Sequence, residues 1–310
     1  MPFETPSVVQ ARLYELDGQT GTIVVSPSSA FTSGSTVVVI GTAVQSGTGL
    51  AVRLSSVSGG GTWQSAINVR PDTDYAPNCF AGVLYNAPGS SPSITLTMNQ
   101  STDVRASFAL VEIDGVPSSS VLDGSARTGT SGSSATSTAT SATGTLTQTD
   151  NLILLCAGGW LGTPLTPSGY TNVVTPTANG SGPGYVGNGV FYKTVTSTST
   201  QTGTVLHDAS AGSSAILLVL KAASTTSLKY RFTLNSSLFT NADTGIEGYV
   251  WRNGGADSVL AEHHTGLAGD ATAGRLDITP SASGVLVSDT IMGVFWNGTD
   301  TSGLITGTVV

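Results

Sequence analysis

The sequence predicts an all-β protein: a two-sheet antiparallel β-sandwich, jelly-roll-like and built from an internal duplication, followed by a small C-terminal β-domain. Three observations carry that expectation. Only 10% of the 310 residues are Asp, Glu, Lys or Arg, against about 25% in ordinary soluble proteins. Thr, Val, Ser and 39 Gly stand in their place, the residues of short strands and turns rather than of helices. The strongest apolar run, Ala215-Ile216-Leu217-Leu218-Val219-Leu220, has the length of a buried strand and not of a membrane span. Finally, the chain matches itself at an offset of roughly a hundred residues, the mark of a repeat architecture.

The paired segments keep their order in both copies, about residues 8–116 and 134–222. Gly21-Thr22-Ile23-Val24-Val25 stands opposite the more polar Ser137-Thr138-Ala139-Thr140. Thr36-Val37-Val38-Val39-Ile40-Gly41 aligns with Asn151-Leu152-Ile153-Leu154-Leu155-Cys156. Gly61-Thr62-Trp63 matches Ser168-Gly169-Tyr170, a small-residue turn that delivers one aromatic ring. The sharpest pair is Gly82-Val83-Leu84-Tyr85 with Gly189-Val190-Phe191-Tyr192. The last sets residues 106–113 against 214–221.

Strands at this spacing, separated by Gly/Ser/Thr/Pro turns, fit a sandwich and not alternating β and α. One half leaves an apolar sheet face uncovered. The expectation is therefore that two four-stranded sheets stacked about 10 Å apart bury Val37, Val39, Leu152, Leu154 and the regions of Tyr85 and Tyr192 between them. The repeats would swap strands or pack side by side within residues 1–223. Between them, residues 118–149 are low in complexity, with Ser125-Ala126-Arg127-Thr128-Gly129-Thr130-Ser131-Gly132 at the centre. They read either as a flexible tether or, over 137–147, as a polar edge strand, the reading the repeat favours. Residues 194–204 carry the same ambiguity.

After Ala223 the texture changes, and residues 224–310 form a separate β-domain of ordinary size. Leu228-Lys229-Tyr230-Arg231-Phe232-Thr233-Leu234 alternates strictly, so its apolar members face a core. Further strands are expected at 245–252, 258–264, 274–279, 290–296 and 304–309.

The net charge is −8 with 11 basic residues spread thinly, which excludes a row of phosphate contacts and so a nucleic-acid partner. Met1-Pro2-Phe3-Glu4-Thr5-Pro6 has neither the basic nor the apolar region of a secretory signal, so synthesis in a cytoplasm is expected. Cys79 and Cys156 are too few for a disulfide framework or a CxxC metal half-site and are expected reduced, Cys156 within an apolar strand.

The chemistry-bearing motifs all have plainer readings. Gly182-Pro183-Gly184-Tyr185-Val186-Gly187 spells GxGxxG, but a strand follows it and no βαβ unit surrounds it, so it reads as a turn. His207-Asp208-Ala209-Ser210 holds triad residue types, yet adjacency does not create triad geometry, and His207 reads as a turn or edge residue. In Glu262-His263-His264 neighbouring strand residues point to opposite faces, against a shared ion. Asp72, Asp74, Asp270 and Asp300 lack EF-hand spacing and read as turn caps. No catalytic, cofactor-binding or metal-ligating residue is assigned. Trp63, Trp160 and Tyr170, beside glycine turns, are candidate ligand or partner contacts that stack on sugars or anchor a protein; the plainer reading makes them core rings capping the sandwich ends.

Gly59-Gly60-Gly61-Thr62-Trp63, Val83-Leu84-Tyr85-Asn86-Ala87-Pro88 and Ala109-Leu110-Val111-Glu112-Ile113-Asp114-Gly115, in a double repeat, resemble a sandwich repeat of tailed-bacteriophage structural modules and of some secreted bacterial proteins. Residues 244–252 and 274–278 are similar to small β-proteins of phage virion gene clusters. The resemblance implies a non-enzymatic virion component without cofactors: a capsid decoration or tail-associated protein, made in the host cytoplasm and carried on the particle surface. Its partners would be other capsid or tail subunits, further copies of itself and possible host surface glycans, with no membrane insertion. The alternative is a secreted or tail-borne carbohydrate-binding or adhesin module.

Overall fold

The computed structural model describes residues 5–45, 48, 52–69, 77–117, 119–132, 135–179, 186–209 and 212–223, together with the strands from residue 230 onward. The described residues contain no helix, and all their strand pairings are antiparallel. The chain divides into two units, Phe3–Ala223 and, with the first two residues, Ser224–Val310.

The first repeat consists of β1 (Ser7–Gln19), β2 (Thr22–Val25), β3 (Thr36–Gln45), β4 (Leu54–Ser58), β5 (Ile67–Val69), β6 (Asn78–Leu84), β7 (Ile94–Met98) and β8 (Val104–Asp114). Its pairing is nested: β1 with β8, β2 with β7 and β3 with β6. This is a long hairpin, bent between β4 and β5 and then rolled, so that β3 also meets β8 and β4 meets β7. The outcome is a five-stranded sheet, β1-β8-β3-β6-β5, covered on one face by a three-stranded sheet, β2-β7-β4.

The second repeat follows the same plan with β9 (Arg127–Ser131), β10 (Ser137–Ala139), β11 (Asn151–Gly159), β12 (Thr171–Asn179), β13 (Val186–Val195), β14 (Thr204–Leu206) and β15 (Ser213–Leu220). Here β9 pairs with β15, β10 with β14 and β11 with β13. The large sheet runs β9-β15-β11-β13-β12, the order of the first repeat's counterparts, and the small one is β10-β14. In place of a β4 equivalent, Pro164 makes a single bridge to His207.

The two large sheets stack face to face, with β1 over β12, β3 over β11 and β5 over β9. Because β9 is the counterpart of β1 and β12 of β5, the relation is reciprocal, as in an isologous dimer. Four layers and three cores result. One core lies inside the first repeat (Val37, Val39, Phe80, Phe108, Ile94), one inside the second (Ile153, Leu155, Phe191, Leu217, Val205), and one between the large sheets (Val38, Ile40, Val83, Leu152, Leu154, Leu218). Strands covered on both faces need apolar residues at every position. Accordingly β11 and β15 are buried throughout, and β3 is buried up to its last residue.

This arrangement corrects several expectations. The all-β, antiparallel sandwich class holds, but each repeat covers one face of its large sheet with a small sheet of its own, so the layers number four and not two. Val37 and Val39 face the first repeat's own core, and Val38 and Ile40 take the place between the repeats that was expected of them. Leu152 and Leu154 do lie there, with Tyr85 and Tyr192 packed at its margin. The repeat alignment is therefore one residue out of step at β3/β11. The same slip affects β8/β15, where Phe108 faces its own core and Ile216 faces the other repeat. A slip of one residue exchanges the faces of a strand. The match of 82–85 with 189–192 keeps its faces: Val83 and Val190 lie between the repeats, and Leu84 and Phe191 each lie in their own repeat's core.

The low-complexity stretch is structured rather than a tether. Its centre forms β9 on the edge of the large sheet, so the second repeat begins before residue 134, and β10 covers 137–139 of the expected edge strand. Residues 141–150 run without strand pairing but are held. The Asp123 carboxylate accepts hydrogen bonds from the Thr147 N–H and hydroxyl at 2.8 and 2.9 Å. In the 194–204 region β13 ends at Val195 and β14 starts at Thr204.

The C-terminal unit contains β16 (Tyr230–Thr233), β17 (Thr244–Gly254), β18 (Asp257–Leu267), β19 (Arg275–Ile278), β20 (Thr290–Asn297), β21 (Asp300–Thr306) and β22 (Thr308–Val309). They form the sheets β18-β17-β20-β21 and β19-β16-β22. Leu228 and Leu234 lie outside the described residues.

Candidate interaction surface

Trp63 is delivered by Gly59, Gly60 and Gly61, all with positive φ, a conformation that strongly favours glycine. A Cβ on Gly59 would also sit 2.1 Å from the Ser93 carbonyl oxygen. The indole N–H donates to the Gly59 carbonyl at 2.7 Å, Trp63 bridges Leu84, and its ring packs on the first repeat's core. Tyr170 holds the corresponding place before β12 and packs on the second repeat's core, with the Lys193 ammonium 4.8 Å from its ring centroid. Burial pushes the Tyr170 hydroxyl up to about 12 and lowers Lys193. Trp160, partly buried after β11, donates its backbone N–H to the Gly212 carbonyl at 2.9 Å. Trp63 and Tyr170 thus serve two different cores, and the structure does not gather the three rings into one site.

The exposed apolar residues were not singled out in the sequence. Leu161, Leu165 and Leu206 are 43, 45 and 55% exposed. The Leu165 N–H donates to the Leu206 carbonyl at 2.8 Å, which makes these two neighbours on the outer sheet of the second repeat. In β14 Val205 turns inward, leaving Thr204 and Leu206 outward. Leu161 adopts φ +62°, uncommon for a residue with a branched side chain. The outer sheet of the first repeat carries Val24, also exposed. An alternation of in and out along β14 is the signal available in the sequence, but three residues are too few to establish a period.

The residue after Leu206, His207, belongs to a polar cluster. His207 is 5% exposed, and its Nε2 is 3.2 Å from the Thr138 hydroxyl. Thr138, Ser131 and Ser213 join their hydroxyls in a closed group. The His207 Nδ1 has no hydrogen-bond partner and stands against Gly159, whose Cβ, if present, would be 2.8 Å away. Burial lowers the His207 pKa, and Asp208 opposes this in part. The Asp208 carboxylate accepts from the Thr163 N–H at 2.6 Å, so it does not orient the imidazole. Ser210 lies outside the described residues. These hydroxyls, without an acid behind the histidine, link β9, β10 and β15, and His207 joins them from just beyond β14.

A second polar corner lies between the large sheets. The Cys79 N–H donates to the Ser214 hydroxyl oxygen at 3.0 Å, and its thiol to the Ser214 carbonyl at 3.1 Å. The Ser214 hydroxyl in turn donates to the Pro77 carbonyl at 2.7 Å. Cys156, on the neighbouring strand, donates to the Asn188 Oδ1 at 3.6 Å. Burial first, then the hydrogen bond and charge of Cys79, raise the Cys156 thiol well above its ordinary range.

Among the described residues no three His, Cys, Asp or Glu side chains converge as metal ligands. Asp72, Asp74 and Asp270 lie outside them, as do residues 182–185 of the GxGxxG match, while β13 begins at Val186. His263 and His264 pair with Tyr249 and Gly248 in the β17–β18 ladder. No helix of the described residues is long and apolar enough to cross a membrane. No protein-family model, curated protein or solved structure matches the chain.

Proposed function

We propose that the chain is a non-enzymatic structural protein on the outside of a tailed-bacteriophage particle, a capsid decoration or tail component. In this reading each repeat is a jelly roll and the two arose by duplication. The nested pairing of β1–β8, β2–β7 and β3–β6, repeated as β9–β15, β10–β14 and β11–β13, supports it. Jelly rolls serve in viral capsid and lectin domains; that is an argument from fold analogy, and the function has to come from the surface. The observation that carries the reading is the adjacent, exposed pair Leu165 and Leu206 on the outer sheet of the second repeat. An exposed apolar pair of this kind is a candidate contact with a neighbouring protein. The net charge of −8 keeps the protein away from packaged nucleic acid.

The test is to assemble particles with the Leu165→Asp/Leu206→Asp chain. Its strands should form as in the parent, by circular dichroism, while most of the protein is lost from purified particles. Wild-type incorporation of this variant, or a parent chain that stays monomeric and never co-purifies with particles, defeats the proposal. A carbohydrate-binding or adhesin module is the second reading, because lectins share the jelly-roll plan. Loss of glycan binding on Trp160→Ala, with particle content unchanged, favours it.

A further inference from the structure

We infer that the second repeat carries an acid-operated latch: protonation of His207 releases its small sheet, β10-β14, from the large sheet beneath, while the first repeat stays closed. The inference concerns one layer of the body and does not depend on the identity of its outer partners.

The two repeats fasten their small sheets at the same place with different chemistry. The Met98 N–H donates to the Gly21 carbonyl at 2.7 Å, and the His207 N–H to the Thr136 carbonyl at 2.9 Å. Ile23 pairs with Leu96 in the β2–β7 ladder as Thr138 pairs with Val205 in the β10–β14 ladder. Ile23 and Met98 therefore correspond to Thr138 and His207. The first pair is apolar and belongs to its repeat's core, whereas the second is buried, polar and titratable. The latch also holds the weaker layer. Among the described residues β10-β14 has three ladder pairs and no third strand, where β2-β7 is flanked by β4. A two-stranded sheet is marginal by itself.

The positions of the protons explain why acid acts here. Ser131, Thr138 and Ser213 touch one another pairwise through their hydroxyls, and Thr138 touches the His207 Nε2, which makes four contacts. Three hydroxyls supply three protons, so the fourth is the Nε2 hydrogen, and the neutral ring leaves Nδ1 bare. A proton taken up from acid must go to Nδ1. That nitrogen makes no hydrogen bond and stands where a Cβ on Gly159 would be 2.8 Å away. The Gly162 carbonyl lies beside the same Gly159 position and makes no bond with the ring. The groups that face the ring from β9, β10 and β15 are the three uncharged hydroxyls. Arg127 on β9 and Lys193 on β13 stand toward the far ends of their strands, and β10, β11, β15 and residues 160–170 carry no charged side chain. Asp208 is the one charge acting on His207 among the described residues, and its carboxylate is engaged by the Thr163 N–H. A buried cation with an unpaired N–H is unfavourable, and burial accordingly keeps the closed ring neutral. When His207 swings out to water, its bonds to Thr136 and Thr138 go with it. The apolar residues on which Val205 packs, Leu155 and Leu217 among them, are then uncovered.

The test is hydrogen–deuterium exchange of the full-length protein, read by mass spectrometry from about pH 7.5 to about pH 5 and corrected for the pH dependence of exchange in an unstructured chain. The closed ring refuses the proton and the open ring takes it at the ordinary value of about 6.5, so below that pH opening becomes easier by up to about tenfold per pH unit. Peptides covering residues 136–140 and 203–208 should lose protection to that extent, while those covering 21–25 and 94–98 keep theirs. Thr138→Ile/His207→Met, which installs the first repeat's pair, should abolish the loss, and His207→Gln should do the same if the double variant does not fold. Unchanged protection of 136–140 and 203–208 over the whole range, an equal loss in both repeats, or a loss that persists in His207→Gln would each overturn the inference.

Discussion

Glu112 is a charged side chain 1% exposed at the end of β8, and its position explains its presence. It accepts a hydrogen bond from the Gln10 amide and one from the Thr32 N–H, both at 2.6 Å, and so fastens the β2–β3 connection to the edge strand. Glu112→Ala leaves the Thr32 N–H without its acceptor and the Gln10 amide with only its longer bonds to the Ser29 and Ala30 carbonyls, and should cost about 2 kcal/mol in urea unfolding, with Glu112→Gln recovering part of it. His207 gives a pH-dependent prediction. Its native pKa is lowered by burial, so below the unfolded value of about 6.5 the unfolded chain binds a proton that the fold refuses. Stability from this residue is complete above that pH and falls as the solution is acidified toward the native value. The urea midpoint of the parent should drop more steeply than that of His207→Gln over this window. At this scale the sequence was partly legible. Trp63 and Tyr170 could be placed at equivalent turns because glycine and small residues announce a turn chemically. The burial of His207 could not be read, because it depends on Pro164 bridging across from another segment.

Among the strands, the apolar runs themselves were plain, but not their faces. Val37-Val38-Val39-Ile40 has no polar residue to mark one side, so nothing in it says that Val37 and Val38 belong to different cores. A run apolar at every position was itself the sign of a strand covered on both sides, and it pointed to four layers instead of two. The Thr-rich strands β9 and β10 were hard to place for the opposite reason. They lie at edges and offer little alternation. Gly158 tests the closeness of the two large sheets. Gly158→Ala introduces a methyl group against Thr42 and should destabilise by about 1–3 kcal/mol. Thr42→Ala in the same chain should recover much of the loss, measured as a double-mutant cycle. Additive losses would mean that the two side chains do not meet.

At the level of the molecule, the all-β class and the change of texture after Ala223 were readable from composition and strand spacing, since both are properties of long stretches. The nested pairing was not, because it is set by partners far apart in sequence. The division at Ala223 predicts that a chain ended there keeps the unfolding midpoint of the first unit in the full-length protein, measured by calorimetry. A large drop would mean that the units are energetically one. The reciprocal stacking of the large sheets has one more consequence. Two separate subunits meeting in this way would come apart on dilution, whereas here a peptide chain holds each half at a high effective concentration beside the other. The assembly is thus indifferent to how sparse the protein becomes in its surroundings. Each half is also released from having to match a copy of itself, so a cysteine on one side can face a serine on the other.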